Sequence, residues 1–353
     1  MKAIVKYQKG DGFMELRDVP LPTPTDDEVL IRVWACGICG SDIHIFHDEH
    51  PNYPPVIVGH EYSGEIIALG KNVKGWKEGD RVVGETHTKT CGECLFCRTG
   101  NQQLCPHKRA PGWGIDGAFA EYLTYPARLL HRIPDNLSWE EASLAEPTAI
   151  CVHGILERTL RGGSDTTLMS GGETVVVIGP GPIGLIALQI LKAAGVGKVI
   201  VSGTPRSARR RLPLAKELGA DYVVSREDLS EVVMNLTGGN GADLVVECSG
   251  SPSAISSTYE LSRQLGRICF IGISGVDSIS IPHDKEIFKG LSTIYCFSHR
   301  YTSWETALSF LSAGRVKARE LITHKGPLER WEEIFEALEG GEGIKGILLP
   351  QEG

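Results

Sequence analysis

Two periodicities divide the chain. Through about residue 150, short runs alternate apolar and polar positions between turn residues, as in Val29–Trp34, Tyr62–Leu69, Arg81–Val83 and Phe119–Thr124. A period of two marks half-buried strands, so residues 1–150 are expected to form a β-rich domain with few helices. The pattern then changes. Thr174–Ile178 is a short apolar run, followed by a glycine turn and a helix-period run to Ala194. Lys198–Ser202, Tyr222–Ser225, Leu244–Glu247 and Arg267–Ile271 repeat the strand signal, with helix-period segments between them. Such alternation predicts an α/β domain over 151–297, a doubly wound parallel sheet with helices on both faces. Beyond it, Trp304–Ser312 and Glu329–Leu338 read as amphipathic helices and Gly346–Leu349 as a short strand, so 298–353 is expected to return to the β-rich domain. Pro213 requires the helix around it to start near Arg210 or to kink. Arg161–Gly172 is polar and glycine-rich and reads as an exposed connector.

Composition narrows the classes. The length, 353 residues, suits two domains. Lys and Arg number 36 against 44 Asp and Glu, a formal charge of −8, which is the wrong sign for a general nucleic-acid binder. No apolar run reaches 18 residues, and Pro180 and Pro182 interrupt the most apolar stretch, so no spanning helix is expected. The start, MKAIVKYQKGDG, lacks the apolar core of a signal peptide, which implies a cytoplasmic protein. Six of the ten cysteines fall in the first third. In a reducing compartment such clustering points to metal or catalysis before disulfides. Cys151, Cys248, Cys269 and Cys296 are scattered and read as small core residues.

Three motifs carry chemistry. In CGECLFCRTGNQQLC, Cys91, Cys94 and Cys97 recur every third residue and Cys105 returns after a short loop. Four thiolates match a tetrahedral structural zinc with no open position; an iron–sulfur cluster and two disulfides are the alternatives. A second set is Cys39 in ACGICGSDIHIFHDEH, His60 and Glu61 in VIVGHEYSG, and Glu146 in LAEPTAI. Each residue alone has a plain structural reading. Together, one thiolate, one imidazole and carboxylates are the ligand types of a catalytic zinc with an exchangeable position. The third is VVVIGPGPIGLIALQILKAAG, where Gly179, Gly181 and Gly184 stand in G-x-G-x-x-G spacing around Pro182 and Ile183, after a strand and opening a helix. In that context the turn binds a dinucleotide pyrophosphate. After the next strand an NAD site places a carboxylate, but VIVSGTPRSARRR has none. Gly203 and Thr204 stand there, with Arg206, Arg209, Arg210 and Arg211 behind, which leans the cofactor towards NADP.

The ordered set GICGSDIH, GHEYSG, the four-cysteine lobe, EPTA and GPGPIG resembles the zinc-dependent medium-chain alcohol dehydrogenases over essentially the whole chain. Glu146-Pro147 is similar to the polyol branch, which includes the sorbitol, threonine and sugar-alcohol-phosphate dehydrogenases. The resemblance implies a GroES-like catalytic domain and a Rossmann domain with the cleft between them. It implies two zinc ions per subunit, with Cys39, His60 and either Glu61 or Glu146 holding the catalytic one. It further implies that Asp42 orients His60, that Ser41 hydrogen-bonds the substrate hydroxyl, and that His44 passes the proton to solvent. Relatives are dimers or tetramers, often joined through strands such as Leu291–Cys296.

The expected activity is hydride transfer between a small polyol or other secondary alcohol and NAD(P)+. An L-threonine-type amino-alcohol substrate is the alternative within enzymes. A non-catalytic dinucleotide sensor is the alternative outside them, and the intact set Cys39, Ser41, His44, His60 and Glu146 argues against it. His47, His50, His299 and Arg300 read by default as surface residues.

Overall fold

A computed structural model of the chain describes residues 1–160 and 172–352. The connector expected at Arg161–Gly172 falls on 161–171, outside the described residues. The described chain forms two units. One comprises Met1–Glu146, His299–Gly314 and Ala318–Gly353; the other comprises Pro147–Ser298 and Arg315–Lys317.

The first unit is built on two sheets. Met14–Asp18, Lys2–Lys6 and Val56–Ile57 pair antiparallel in a small one. The larger has seven strands in the order Ile322–Gly326, Lys345–Leu348, Glu28–Gly37, Glu61–Leu69, Arg81–Gly84 and Leu130–Arg132, with Tyr122–Pro126 also paired to Glu28–Gly37. The strand expected from Phe119 starts only at Tyr122. Before it the chain turns to pass main-chain bonds to the small sheet, with Ile4 N–H donating to Phe119 O. Val29, Ile31 and Val33 alternate into a core shared with Ile66, Val82, Leu123 and, from the C-terminal helix Trp331–Glu339, Trp331, Ile334 and Phe335. Lys345–Leu348 then pairs antiparallel with Glu28–Gly37, Ile347 opposite Gly37 and Leu348 opposite Cys36. Lys345–Leu348 thereby becomes an interior strand of a sheet whose earliest strand is Glu28–Gly37. Short helices, absent from the two-residue pattern, carry two stretches used below: Gly40–Phe46 and Ala145–Cys151.

The second unit contains six parallel strands in the order Tyr222–Ser225, Lys198–Gly203, Thr174–Ile178, Ala242–Glu247, Ser262–Phe270 and Ser292–Tyr295. Thr174–Ile178 is first in sequence and third in space, so the winding reverses between it and Ala242–Glu247. In such sheets ligands bind at that reversal, outside the carboxyl ends of the strands. All five residues of Thr174–Ile178 are buried, as expected for a strand covered on both faces. The helix around Pro213 spans Arg211–Glu217, which puts the proline in its first turn, where a missing N–H costs nothing.

Candidate functional site

The four-cysteine lobe is a local construction. The Sγ atoms of Cys91, Cys94, Cys97 and Cys105 all lie within 4.8 Å of one another, and none of the four is in a disulfide. Cys91 and Cys97 are 3.9 Å apart, Cys91 and Cys105 3.6 Å. A disulfide requires about 2.05 Å. The edge of a tetrahedron with zinc–sulfur bonds of about 2.3 Å is about 3.8 Å. The spacing therefore fits four thiolates around one ion. Backbone N–H groups of Cys94 and Glu93 draw the Cys91 thiol down to about 6, so this sulfur is readily a thiolate at neutral pH.

The second centre draws on distant segments of the same unit. Cys39 caps the helix Gly40–Phe46 and receives a reciprocal bond, its N–H donating to Asp42 Oδ2 at 2.8 Å. His60 ends the turn before the strand Glu61–Leu69, and Glu61 opens that strand. The ligand atoms of Cys39, His60 and Glu61 lie within 4.8 Å of one another. Asp42 is fully buried, with Oδ1 3.4 Å from His60 Nδ1; neither atom makes a hydrogen bond, so the two meet as a charge contact. Burial alone would depress the His60 pKa, but the Asp42 carboxylate outweighs it and holds the ring well above the usual histidine range. Burial raises both Glu61 and Glu146, opposed by Lys345 at Glu61 and by His60 at Glu146. Carboxylates, a thiol and an imidazole held this close, with buried oxygens lacking hydrogen bonds, are the donor set of a zinc ion.

Glu146 stands on the helix Ala145–Cys151 and is buried, with Oε1 3.5 Å from His299 Nε2. It lies outside the Cys39–His60–Glu61 group. His299 is not the surface residue expected. It is fully buried, because Trp304 on the following helix Tyr301–Ser312 covers it and donates its indole N–H to His299 Nδ1 at 2.7 Å. Indole N–H is a donor only, so Nδ1 accepts and the neutral ring carries its proton on Nε2. That N–H faces Thr86 Oγ1 at 3.1 Å and Glu146. Glu85, His87 and His299 also bring ligand atoms within 4.8 Å of one another. The fixed tautomer withdraws Nε2 from metal binding, so this third group is a polar wall beside Glu146. Burial lowers His87 to about 4 against the attraction of Glu85, and it lowers Lys108 to about 8 against that of Glu146.

Ser41 and His44 lie on the helix Gly40–Phe46, three residues apart and so on one face. Ser41 is half-buried; His44 is exposed and its Nδ1 meets Glu49 Oε2 at 2.8 Å. His47 bridges Asp11 and Glu339, 2.8 Å from each, and His50 packs edge-on to Trp113.

In the second unit the glycine turn is tightly built. Gly179 has φ +93°, and a Cβ there would stand 2.7 Å from Ser249 Cβ. A Cβ on Gly184 would run into the Gly179 carbonyl. Pro182 opens the helix Pro182–Ala193 behind Gly181, with no side-chain cap, which leaves the Ile183 and Gly184 amides to an anion. A pocket of ≈ 260 Å³ is lined by Gly179, Gly203, Thr204, Ser207, Arg211 and Arg226, among others. Arg206 is exposed outside that lining, but its charge reaches Arg211. At Gly203 a Cβ would come within 2.8 Å of Pro180 and 2.9 Å of Ser207, so packing disfavours any side chain here. The sequence analysis missed Arg226, which follows the strand Tyr222–Ser225 and reaches the pocket because that strand pairs with Lys198–Gly203. It also missed Lys345, buried against Glu61.

Residues 25–135 match the alcohol dehydrogenase GroES-like domain family and residues 182–313 the zinc-binding dehydrogenase family. The chain is 39% identical to a sorbitol dehydrogenase of Halalkalibacterium halodurans over 99% of each chain. It is 38% identical to a D-arabitol-phosphate dehydrogenase of Enterococcus avium, covering 98% of this chain and 96% of that one. A zinc-binding dehydrogenase from Sinorhizobium meliloti 1021, solved bound to NADP, superposes with a TM-score of 0.88 at 28% identity, over 99% of both chains. The chain belongs to the zinc-dependent medium-chain alcohol dehydrogenase superfamily, in the branch that contains the polyol dehydrogenases.

Proposed function

We propose that the protein oxidises a small polyol or related secondary alcohol with NADP+ preferred over NAD+, using one catalytic and one structural zinc per subunit. The observation that carries this reading is the meeting of Cys39, His60 and Glu61 within 4.8 Å, away from the four-cysteine lobe. Cys39, His60 and one carboxylate, from Glu61 or Glu146, hold the catalytic metal; Cys91, Cys94, Cys97 and Cys105 hold the structural one. Bound zinc supplies Lewis acidity to the substrate oxygen, and the bound nicotinamide accepts the hydride. Asp42 faces His60 Nδ1 and so commits Nε2 to the metal. Ser41 takes the substrate hydroxyl proton and His44, on the same helical face and exposed, releases it to solvent. Ile183 and Gly184 amides, with Gly179, Gly181 and Pro182 shaping the turn, hold the pyrophosphate.

Preference for NADP+ is supported by Gly203, Thr204, Arg206, Arg211 and Arg226 around the pocket, where no carboxylate stands among the lining residues. Guanidinium groups close together favour a bound phosphate. The protein works in the cytoplasm, a reading supported by ten cysteines of which none forms a disulfide, and no described helix is long and apolar enough to cross a membrane. It assembles as a dimer or tetramer through Ser292–Tyr295, an edge strand that ends on Tyr295 and is flanked by Ile287, Phe288 and Phe297, all exposed. The test is turnover of a panel of polyols, polyol phosphates and L-threonine with both cofactors, alongside zinc analysis. Polyol oxidation with two zinc per subunit supports the reading. Efficient turnover of L-threonine alone, or none without loss of cofactor binding, overturns it.

A further inference from the structure

The polar wall at His87 continues to the surface of its own unit. Glu85 follows the strand Arg81–Gly84, is 3% exposed, and turns one oxygen to each of two imidazoles. Its Oε2 stands 3.3 Å from His87 Nε2 and its Oε1 3.5 Å from His131 Nε2. His131, on the strand Leu130–Arg132, is buried between rings of the helix Tyr301–Ser312, its centroid 4.8 Å from Tyr301 and 5.5 Å from Trp304. Its other nitrogen, Nδ1, meets Oε1 of Glu305 on that helix, a side chain 53% exposed. His87, Glu85, His131 and Glu305 therefore form a file of proton-carrying groups from the interior to solvent.

The hydrogen bonds of this file are incomplete in a particular way. The exposed Glu305 carboxylate accepts from Nδ1, so a neutral His131 ring turns a bare Nε2 towards Glu85 Oε1. Two acceptors face each other there, and a proton arriving between them makes the contact a hydrogen bond. At the inner end His87 Nδ1 is buried without a hydrogen bond, on a ring centred 6.1 Å from that of His299, which faces Glu146. Glu146 in turn feels the charge of His60, so this end of the file is in electrostatic reach of the Cys39 centre.

Oxidation of an alcohol with NAD(P)+ moves one hydride to the nicotinamide and leaves one proton to be released. We propose that His87, Glu85, His131 and Glu305 conduct that proton to solvent, as a second outlet beside Ser41 and His44. The proposal rests on the dehydrogenase reading of the Cys39 centre. A proton taken at His87 Nδ1 displaces the one on Nε2 to Glu85 Oε2. A half-turn of the carboxyl group presents it to His131 Nε2, and Nδ1 gives its own proton to Glu305, which releases it to water. Tautomer exchange of the two rings resets the file, so one proton leaves per turnover. Burial, with His299, Lys108 and Arg128 acting against Glu85, lowers His87 to about 4, so its ring gains and loses a proton together instead of resting charged.

The experiment measures alcohol oxidation by the zinc-loaded full-length enzyme in the His44→Ala background, where the first outlet is closed. Glu305→Gln keeps an acceptor for His131 but cannot take up a proton. Adding it is expected to lower kcat by a further factor of about ten at neutral pH without a change in melting, and imidazole buffer should restore the rate. His131→Phe should show the same loss, and because Glu305 is exposed the Glu305 arm decides even where His131→Phe does not fold. A kcat that stays within about twofold of His44→Ala overturns the proposal. So does a loss that imidazole leaves unrestored, which reduces Glu305 to an anchor for its helix. Absence of alcohol oxidation in the zinc-loaded wild type instead overturns the underlying reading of the centre.

Discussion

The four-cysteine lobe and the Cys39 centre both gather metal-binding atoms, but they do so by opposite means. The lobe's donors lie between residues 91 and 105, and its geometry follows from a few turns. The Cys39 centre takes its candidate donors from residues 39, 60 and 61, with 42 and 345 against them and 146 and 299 in a separate contact. A closed local set can organise its own surroundings when metal binds, since ligand capture and local folding are one event. A dispersed set depends on the rest of the unit being folded first. Under the proposed reading the difference separates a metal that serves structure from one that serves chemistry, and each substitution below probes one side of it.

The largest effect is expected at the dispersed centre. Cys39→Ser removes a thiolate from a site whose donors the fold already holds, so turnover should fall by about 10³ or more, ~4 kcal/mol of barrier, with little change in melting. Zinc analysis should show one of the two metals lost, and wild-type turnover without it contradicts the assignment. Cys97→Ser should invert that profile: melting temperature falls by several degrees, proteolysis opens 91–105, and turnover of the folded fraction stays within about tenfold. Unchanged melting and zinc content would remove the lobe from the metal sites.

His87 adds a test of the polar wall beside the dispersed centre. Its folded pKa of about 4 lies below the unfolded value of 6.5, so the unfolded chain binds the proton first. Stability is therefore complete above about pH 6.5 and is lost as pH falls towards 4, by up to ~3 kcal/mol. Denaturant melts between pH 7 and 4 should flatten in His87→Phe, and an equal slope in both proteins disproves the burial argument. His44→Ala should slow oxidation about 10- to 100-fold, most at neutral and lower pH, with partial rescue by proton-carrying buffers. An unchanged pH profile sends the proton elsewhere. The smallest effect is in the cofactor pocket. Arg211→Ala should shift the ratio of kcat/KM for NADP+ over NAD+ by about tenfold, ~1.4 kcal/mol, with Arg206→Ala smaller because that side chain is exposed. A ratio that moves more for Arg206 reverses the order read from the pocket.

The same local-against-dispersed contrast governs what could be read from sequence. The lobe and the glycine turn were legible because a spacing within one turn or loop dictates geometry. The parallel strands were legible because a fully buried strand is continuously apolar, as in TVVVI. His299 gave no such signal, and its burial comes from Trp304 folding back over it. Lys345 sits in GIKGILL, where the only hint is a lone cation inside an apolar strand; its partner is 284 positions away in the chain. At Gly203 the sequence shows only that a carboxylate is missing; that Pro180 and Ser207 close in on the position comes from the fold. Contacts of this kind depend on register between distant strands, which no single window contains.

The placement of Lys345–Leu348 inside the sheet also sets an order on synthesis. Ribosomes deliver about 5–20 residues per second, from the N-terminus. The sheet of the first unit must wait with a vacant place beside Glu28–Gly37 until Lys345–Leu348 arrives, after all six described parallel strands of the Pro147–Ser298 unit have been made. For that interval the earlier-made sheet displays an unpaired edge, and a strand made some three hundred positions later decides when Glu61 gains its Lys345 partner.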